Sequence, residues 1–353
     1  MKRAVFRADG SSRLGMGHIM RCLAFADHLR ALGVQSAFVV KAFERQTAQV
    51  IRTSGFDMEE LPPDISLVGD AQRTLAVALR MGGAMIVTDI CHRPALENFD
   101  ALMEYHHLLT QEHFVVCLAG SSVVDIPCHV VVSPYFRAQY PVVSTDNGRT
   151  VLLGPQYFIF RHEFVEIARR SRTIAEHPQR LLITVGGSDE LHLTAKIVIA
   201  LLTQPCADLK LQIVLGPGYT ANLKEELNAL LGQFDGEYAY LTGQFNLAEA
   251  MWQSDLAVTG DGLTKYETAV TNTPSIVISR FDSEHELNRQ FAQAGTTMHA
   301  GDGAQLEPEE LGSIIHRVLE DADLRRNMAQ RGREMVDGQG IKRILASIPQ
   351  GVI

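Results

Sequence analysis

The sequence predicts an α/β protein made of two doubly wound, Rossmann-like halves, and three observations carry that expectation. The chain has 353 residues, whereas one domain takes about 100–200. Short β-branched or apolar runs alternate with longer amphipathic stretches, the rhythm of parallel sheets covered by helices. After an irregular, charged middle section the same rhythm begins again. Hydrophobic residues make up 46% of the chain and charged residues 21%, with 13 prolines spread thinly, so each half has material for a core of its own.

In order along the chain, Ala4–Phe6 reads as a strand, His18–Leu32 as a helix, Ala37–Val40 as a strand followed by a polar helix, and Met85–Thr88, Phe114–Leu118 and Val130–Val132 as further strands. Arg137–Arg180 contains Pro141, Asn147-Gly148 and Gly154-Pro155, then a charged stretch from Arg161 to Arg172, which suits a connection between domains. Strands resume at Leu181–Val185, Leu211–Leu215, Tyr238–Leu241, Leu256–Thr259 and Ser275–Ile278. Between them lie helical patterns near Ala195–Leu202, Asn222–Leu231, Leu247–Trp252 and Lys265–Thr271. Pro308–Ile348 is helical by period. The expected divisions are residues 1–155, a linker at 156–180, a second domain at 181–320 and a C-terminal helical segment at 321–353.

Composition removes several functions. The net charge is −9 at pH 7 and no basic block stands out, so a nucleic-acid backbone is not the expected partner. No apolar run approaches the roughly 18 residues of a membrane span, and the start carries no secretory pattern, which together predict a cytoplasmic protein. The five cysteines, Cys22, Cys91, Cys117, Cys128 and Cys206, form no CxxC pair, and no ligand-spaced His/Cys cluster accompanies them. No metal or other cofactor is expected. Cys91-His92 and Cys128-His129 read as structural strand-end dipeptides, Cys22 as a packing residue beside Arg21, and the Arg325–Arg333 run as a solvated helix face.

The first strand runs into Arg7-Ala8-Asp9-Gly10, and its loop ends in Gly15-Met16-Gly17-His18 at a helix start. Gly15 and Gly17 permit a tight turn and a close ligand, with first-turn N–H groups pointing outward. His18 falls where the positive end of the helix favours the neutral ring that a general base needs. Arg21 and Cys22 share its face. A βα turn with His18 as its cap is the reading that needs no ligand. The loop lacks a third glycine and the second strand ends in Val39-Val40-Lys41-Ala42 without an acid, which argues against a dinucleotide site.

Two loops of the second half have the same strand–glycine–helix form: Val185-Gly186-Gly187-Ser188-Asp189 and Gly260-Asp261-Gly262-Leu263-Thr264. Either can cradle phosphate on backbone amides. Thr264 suits an N-cap with Glu267 at the capping-box position three residues on; alternatively the Glu267 carboxylate accepts the hydroxyls of a ribose.

Taken together, Arg7-Ala8-Asp9, Gly15-Met16-Gly17-His18, Met20-Arg21-Cys22-Leu23, Thr184–Asp189, Asp255–Val258, Gly262, Thr264, Tyr266-Glu267, Val336-Asp337-Gly338 and Arg343 resemble the UDP-sugar hydrolase of pseudaminic acid biosynthesis and its spore-coat polysaccharide relatives. The resemblance implies a GT-B fold, two Rossmann-like domains facing a cleft, with UDP held mainly by the second. It implies metal-free cleavage by water of the anomeric C–O bond of UDP-2,4-diacetamido-2,4,6-trideoxy-β-L-altropyranose. His18 is the implied catalytic residue; Arg7, Asp9, Gly15, Gly17 and Arg21 form the substrate and phosphate loop; Gly186, Gly187, Ser188, Gly262, Leu263, Thr264 and Glu267 hold the nucleotide. The chain departs from the family at Cys91, at Gly120-Ser121-Ser122 and at His285-Glu286. The expected partners are a UDP-sugar and either water or a sugar acceptor. The alternatives are a GT-B glycosyltransferase and a nucleotide-sugar binding protein without catalysis.

Overall fold

The computed structural model describes residues 2–11, 16–42, 45–90, 98–119, 125–136, 143–146, 148–206, 208–243, 245–280 and 282–353, with only the backbone described for residues 46, 143–146 and 282–284. The chain divides into two units. Unit 1 comprises residues 1–135, 139–161 and 339–353, and unit 2 comprises 136–138 and 162–338.

In unit 1, β1 (Arg3–Ala8), β2 (Gln35–Lys41), β3 (Asp57–Leu61), β4 (Met85–Asp89), β5 (Val115–Leu118), β6 (Val130–Ser133), β7 (Val143–Asp146) and β8 (Arg149–Leu153) form one sheet in the order β3-β2-β1-β4-β5-β6-β8-β7. All neighbours are parallel except β7 on β8. The connecting helices are α1 (Gly17–Ala31), α2 (Arg45–Thr53), α3 (Leu67–Arg80) and α4 (Phe99–Thr110). Central strands are buried on both faces and read as continuous apolar runs, which is why β1, β4 and β5 were legible. By contrast β3, with the sequence DMEEL, is a half-exposed edge strand, and charge there protects an unpaired edge while erasing the apolar signal.

Unit 2 repeats the plan. It runs α5 (His162–Ile167), β9 (Arg180–Thr184), α6 (Leu193–Thr203), β10 (Lys210–Val214), α7 (Ala221–Leu231), β11 (Tyr238–Leu241), α8 (Leu247–Gln253), β12 (Leu256–Gly260), α9 (Thr264–Val270), β13 (Ser275–Ser279), α10 (Asp282–Gln293), β14 (Met298–Asp302), α11 (Pro308–Glu320) and α12 (Ala322–Met335). Its six strands are parallel in the order β11-β10-β9-β12-β13-β14. Both sheets therefore reverse direction beside their first strand, between β1 and β4 and between β9 and β12. Ligands of open α/β sheets bind outside the strand carboxyl ends at such a switch point.

The expected divisions need two corrections. Residues 156–180 are not a free connection: Tyr157 and Ile159 lie in the core of unit 1, while α5 packs on α8 and α9 within unit 2. Likewise 321–353 is not one segment. α12 belongs to unit 2, but α13 (Gly340–Ala346) returns to unit 1, where Ile341, Ile344 and Ile348 join Phe6, Phe25 and Phe38 in one core. Gly340 makes this docking possible, since a Cβ there would overlap the Phe158 carbonyl oxygen.

Arg325 also departs from the expectation of a solvated face. Its side chain is buried, and it donates to the carbonyls of Val318, Leu319, Ala175 and Glu176, closing the end of α11 and the segment before β9. Arg326 and Arg331 are exposed as expected.

Because Ile344 is fully buried at the end of the chain, Ile344→Ala is expected to destabilise unit 1 by about 2–5 kcal/mol through lost burial and a cavity. Urea unfolding measures it. An unchanged midpoint shows that α13 is not part of the core.

Candidate functional site

The polar groups of unit 1 collect where β1 and β4 end. Asp89, the last residue of β4, has a fully buried side chain, and both of its oxygens accept from the Arg21 guanidinium. His18 Nδ1 lies 2.7 Å from Asp89 Oδ1. Burial raises the cost of the Asp89 charge, yet Arg21 and His18 outweigh it and bring its pKa down to about 2. An ionised carboxylate only accepts hydrogen bonds, so a 2.7 Å contact requires the proton on Nδ1. Of the two neutral tautomers this contact selects the one whose basic nitrogen is Nε2, and Arg21 Nη2, 3.2 Å from the same Nδ1, then approaches it as a second donor.

Helix α1 sets this geometry. His18 and Arg21 are three residues apart on one face, so a single carboxylate on β4 fastens both. Met16 stands at the N-cap without a side-chain cap, so the first amides of α1 are not satisfied by a capping residue. Tyr135 Oη lies 3.4 Å from Arg21 and extends the cluster. Cys22 Sγ is 3.6 Å from Asp89, and burial together with that carboxylate pushes its thiol pKa well up, in keeping with a packing residue and not a nucleophile.

Arg7 and Asp9 lie deeper. Arg7 is 1% exposed and binds Asp70 of α3 through Nε at 2.8 Å and Nη2 at 2.6 Å, and Asp9 through Nη1 at 2.6 Å. Asp9 also accepts from the Lys41 amide at 3.1 Å. This buried triad ties the end of β1 to β2 and α3. Gly17 opens α1; Gly15, Cys91 and Gly120–Ser122 lie outside the described residues.

In unit 2 the glycine loops lie at that unit's own switch point, between β9 and β12. Gly186 follows β9 with φ +121° and Gly262 follows β12 with φ +95°, conformations that favour glycine. Gly187, exposed, accepts at 2.8 Å from the Gly218 amide, and a Cβ on Gly216 would overlap the Gly187 carbonyl oxygen. The Gly216–Gly218 turn thus supports the loop that carries Ser188. Asp189 is not a ligand group, since it takes the Leu193 and Thr194 amides at 2.7 and 2.8 Å and closes the start of α6.

The capping-box expectation for Glu267 is overturned. Leu263 occupies the N-cap of α9, so Thr264 is already helical and Glu267 lies four residues past the cap, outside capping-box spacing. Glu267 is half-buried. Beneath the loop, buried Lys265 donates to Asn288 at 2.6 Å, Asn288 to Ser279 at 2.9 Å, and Ser279 pairs with His299 at 2.8 Å. Burial, with His285 and Lys265 nearby, brings His299 down to about 4. Glu286 is paired within its own helix with Arg289 and Gln290, whose hydrogen bonds hold it at about 2.

Asp89, Tyr135, Asp261 and Arg280 were not singled out by sequence reasoning. A usable signal existed for Asp89, an acid ending an apolar strand beside the first strand. Cys128-His129 is structural as expected: Cys128 lies against the Val130 carbonyl, and His129 accepts the Val115 amide and stacks on Phe114. Among the described residues, no three His, Cys, Asp or Glu side chains gather as a metal site, and no helix is long and apolar enough to cross a membrane.

Two Rossmann-type α/β units of this kind define the GT-B architecture, and solved structures share it. MurG of Acinetobacter baumannii superimposes with a TM-score of 0.71 at 14% identity, over 98% of this chain and 99% of that one. The UDP-GlcNAc 2-epimerase of Neisseria meningitidis bound to UDP-GlcNAc gives a TM-score of 0.63 at 12% identity, over 98% and 99%. No family model matches. In sequence the chain is similar to an uncharacterized protein of Methanocaldococcus jannaschii, with 25% identity over 85% of this chain and 60% of that one. It is also similar to the spore coat polysaccharide biosynthesis protein SpsG of Bacillus subtilis, with 27% identity over 58% and 59%. The chain thus spans about 60% of the length of these curated relatives.

The depressed pKa of Asp89 gives a signed expectation. Its ionised form contributes stability above the ordinary carboxyl value of about 4, and this is lost as pH falls through about 2. Asp89→Asn lacks that contribution and leaves Arg21 buried without its counter-charge. The stability gap between wild type and Asp89→Asn, read from urea midpoints, should therefore narrow by about 1.5–2 kcal/mol between pH 4 and pH 2. A constant gap means that Asp89 is not held ionised by Arg21 and His18.

Proposed function

We propose that this protein hydrolyses the anomeric C–O bond of a UDP-linked deoxy-amino sugar and serves surface-polysaccharide or nonulosonic acid biosynthesis. The observation that carries the reading is the Asp89–His18 pair: a ring whose Nδ1–H is held by a buried carboxylate has a defined acceptor at Nε2. In the proposed reaction Nε2 takes a proton from water as the water oxygen bonds to the anomeric carbon. The bond from that carbon to the phosphate oxygen breaks and its electron pair leaves with UDP. The free sugar and UDP are the products.

The nucleotide is assigned to unit 2, where Gly186, Gly187, Ser188, Gly262, Leu263 and Thr264 offer backbone amides to the diphosphate and Glu267 accepts the ribose hydroxyls. The residue resemblance and the likeness to SpsG, whose name places it in spore coat polysaccharide biosynthesis, support the pathway class. The UDP-GlcNAc in the Neisseria meningitidis epimerase supports a uridine nucleotide. A second reading places a sugar hydroxyl where water stands; it draws on the departures at Cys91 and Gly120–Ser122, which belong to the sugar side of the pattern. Nucleotide release from a panel of UDP-sugars, with and without acceptor, separates the two, since only a hydrolase turns over without acceptor.

Glu267→Ala is expected to weaken UDP by about 1.5–3 kcal/mol, the worth of hydrogen bonds to a charged group. Isothermal titration measures it on the folded variant. Unchanged affinity removes Glu267 from the nucleotide site.

His18→Asn keeps a hydrogen-bonding group at the helix start but has no basic nitrogen. Turnover should fall about 100- to 10,000-fold while UDP affinity persists. Near-normal turnover takes His18 out of the mechanism, and an equal loss of UDP affinity makes it a binding residue.

A further inference from the structure

A chain of hydrogen bonds links α9, α10, β13 and β14 in unit 2, and the reaction proposed above does not use it. Lys265, the second residue of α9, is 1% exposed and donates to Asn288 Oδ1 at 2.6 Å. Asn288 Nδ2 donates to Ser279 Oγ at 2.9 Å, and Ser279 Oγ lies 2.8 Å from His299 Nε2 on β14. Each link has one direction. An ammonium only donates, so Asn288 turns its oxygen to Lys265 and its N–H to Ser279. The Ser279 hydroxyl is buried and has one hydrogen, for which His299 Nε2 is the acceptor among the described residues. The lone pair of the His299 ring is therefore at Nε2 and its proton at Nδ1. Burial, with His285, Lys265 and Arg289 nearby, brings this ring down to about 4, so it stays neutral at pH 7.

His285 packs on that ring. The two imidazoles meet edge to face, with centroids 4.7 Å apart and planes at 68°. His285 and Asn288 are three residues apart on one face of α10, so the chain and the ring it locks hold the start of this helix at two successive turns. His285 stands beyond the carboxyl end of β13, the side of an open α/β sheet on which ligands bind. Buried polar groups are costly unless satisfied, and a satisfied chain of them fixes one orientation. A leucine at 299 would fill space and fix nothing.

From this arrangement we infer that His299 is a positioning residue, locked by the chain from α9, which holds the His285 ring against the sugar of a nucleotide-sugar bound to unit 2. The inference rests on the nucleotide assignment above. In that assignment the diphosphate and ribose lie on α9 and on the loops after β9 and β12, and His285 stands one strand further out, past β13. An imidazole there hydrogen-bonds to the hydroxyl and acetamido groups of a sugar, which UDP alone does not carry.

Nitrogen-15 NMR of histidine-labelled protein reads the lock. The His299 signals, identified by their absence from His299→Gln, should show a protonated Nδ1 and a bare Nε2, and Ser279→Ala should abolish that preference. Isothermal titration of UDP and UDP-N-acetylglucosamine into wild type, His299→Leu and His299→Gln reads the consequence, with melting curves to confirm folding. His299→Leu should weaken UDP-N-acetylglucosamine by about 10-fold while UDP changes less than about twofold. His299→Gln offers Ser279 an oxygen and should lose less than about threefold. Packing alone predicts the reverse order, since leucine fills a core better than glutamine, and that order overturns the inference. Equal losses of the two probes, or a wild-type His299 ring protonated at Nε2, also overturn it. If His299→Leu does not fold, Ser279→Ala takes its place with the same expected split. Wild type that binds UDP but not UDP-N-acetylglucosamine refutes only the placing of an acetamido sugar beside His285. Wild type that binds neither removes the nucleotide assignment and this inference with it.

Discussion

Asp89 is a carboxylate with no solvent-exposed side-chain surface, and on its own it would take up a proton in such surroundings. Arg21 and His18 keep it charged. The pairing runs both ways, because the same carboxylate compensates the buried Arg21 guanidinium and fixes the proton of the His18 ring. It also joins α1 to β4 across the switch point. A histidine at the start of a helix is only a group with two possible tautomers; the buried acid selects one and gives the ring a direction.

Unit 2 uses the same place for the same purpose with different groups. β4 and β12 each pair with the first strand of their sheet, on the side opposite β2 and β10. Each ends in or is followed by a buried acid, Asp89 or Asp261, and each acid orients an arginine. In unit 1 the arginine is buried and the imidazole is the group brought to the surface. In unit 2 the guanidinium itself reaches the surface. The repeated topology thus supplies a repeated anchoring position, and the side chain left at the surface is an imidazole in unit 1 and a guanidinium in unit 2.

The sequence was most readable where burial and backbone conformation imposed simple patterns. Central parallel strands, apolar on both faces, stood out, and so did Gly186 and Gly262, whose positive φ after a strand is a conformation that favours glycine. Edge strands such as β3 were lost because their exposed faces are polar. Long-range pairings were lost for a different reason. Asp89 is 71 residues from His18, and Asp70 is 63 residues from Arg7; only the strand order brings these groups together. The C-terminal helix illustrates the same limit, since the amphipathic pattern that predicts α13 says nothing about which unit its apolar face will fill. Arg325 reads as an ordinary member of a charged run, yet it is buried because a guanidinium can close several carbonyl groups at once.

These anchors also bear on how a chain of net charge −9 can hold an anion. Arg7, Arg21 and Arg280 each have a carboxylate partner within the same cluster, so none of them creates a broad positive field. An anionic ligand would instead meet fixed N–H groups: the amides at the start of α1, which Met16 does not cap, and the loops around Gly186 and Gly262. Attraction of this kind acts over hydrogen-bond distances and depends on angle. It rewards a ligand whose oxygens fit the donors more than one that merely carries charge. The glycines bear on that fit, because they leave the backbone itself accessible, while the buried acids Asp89 and Asp261 fix the directions of His18, Arg21 and Arg280.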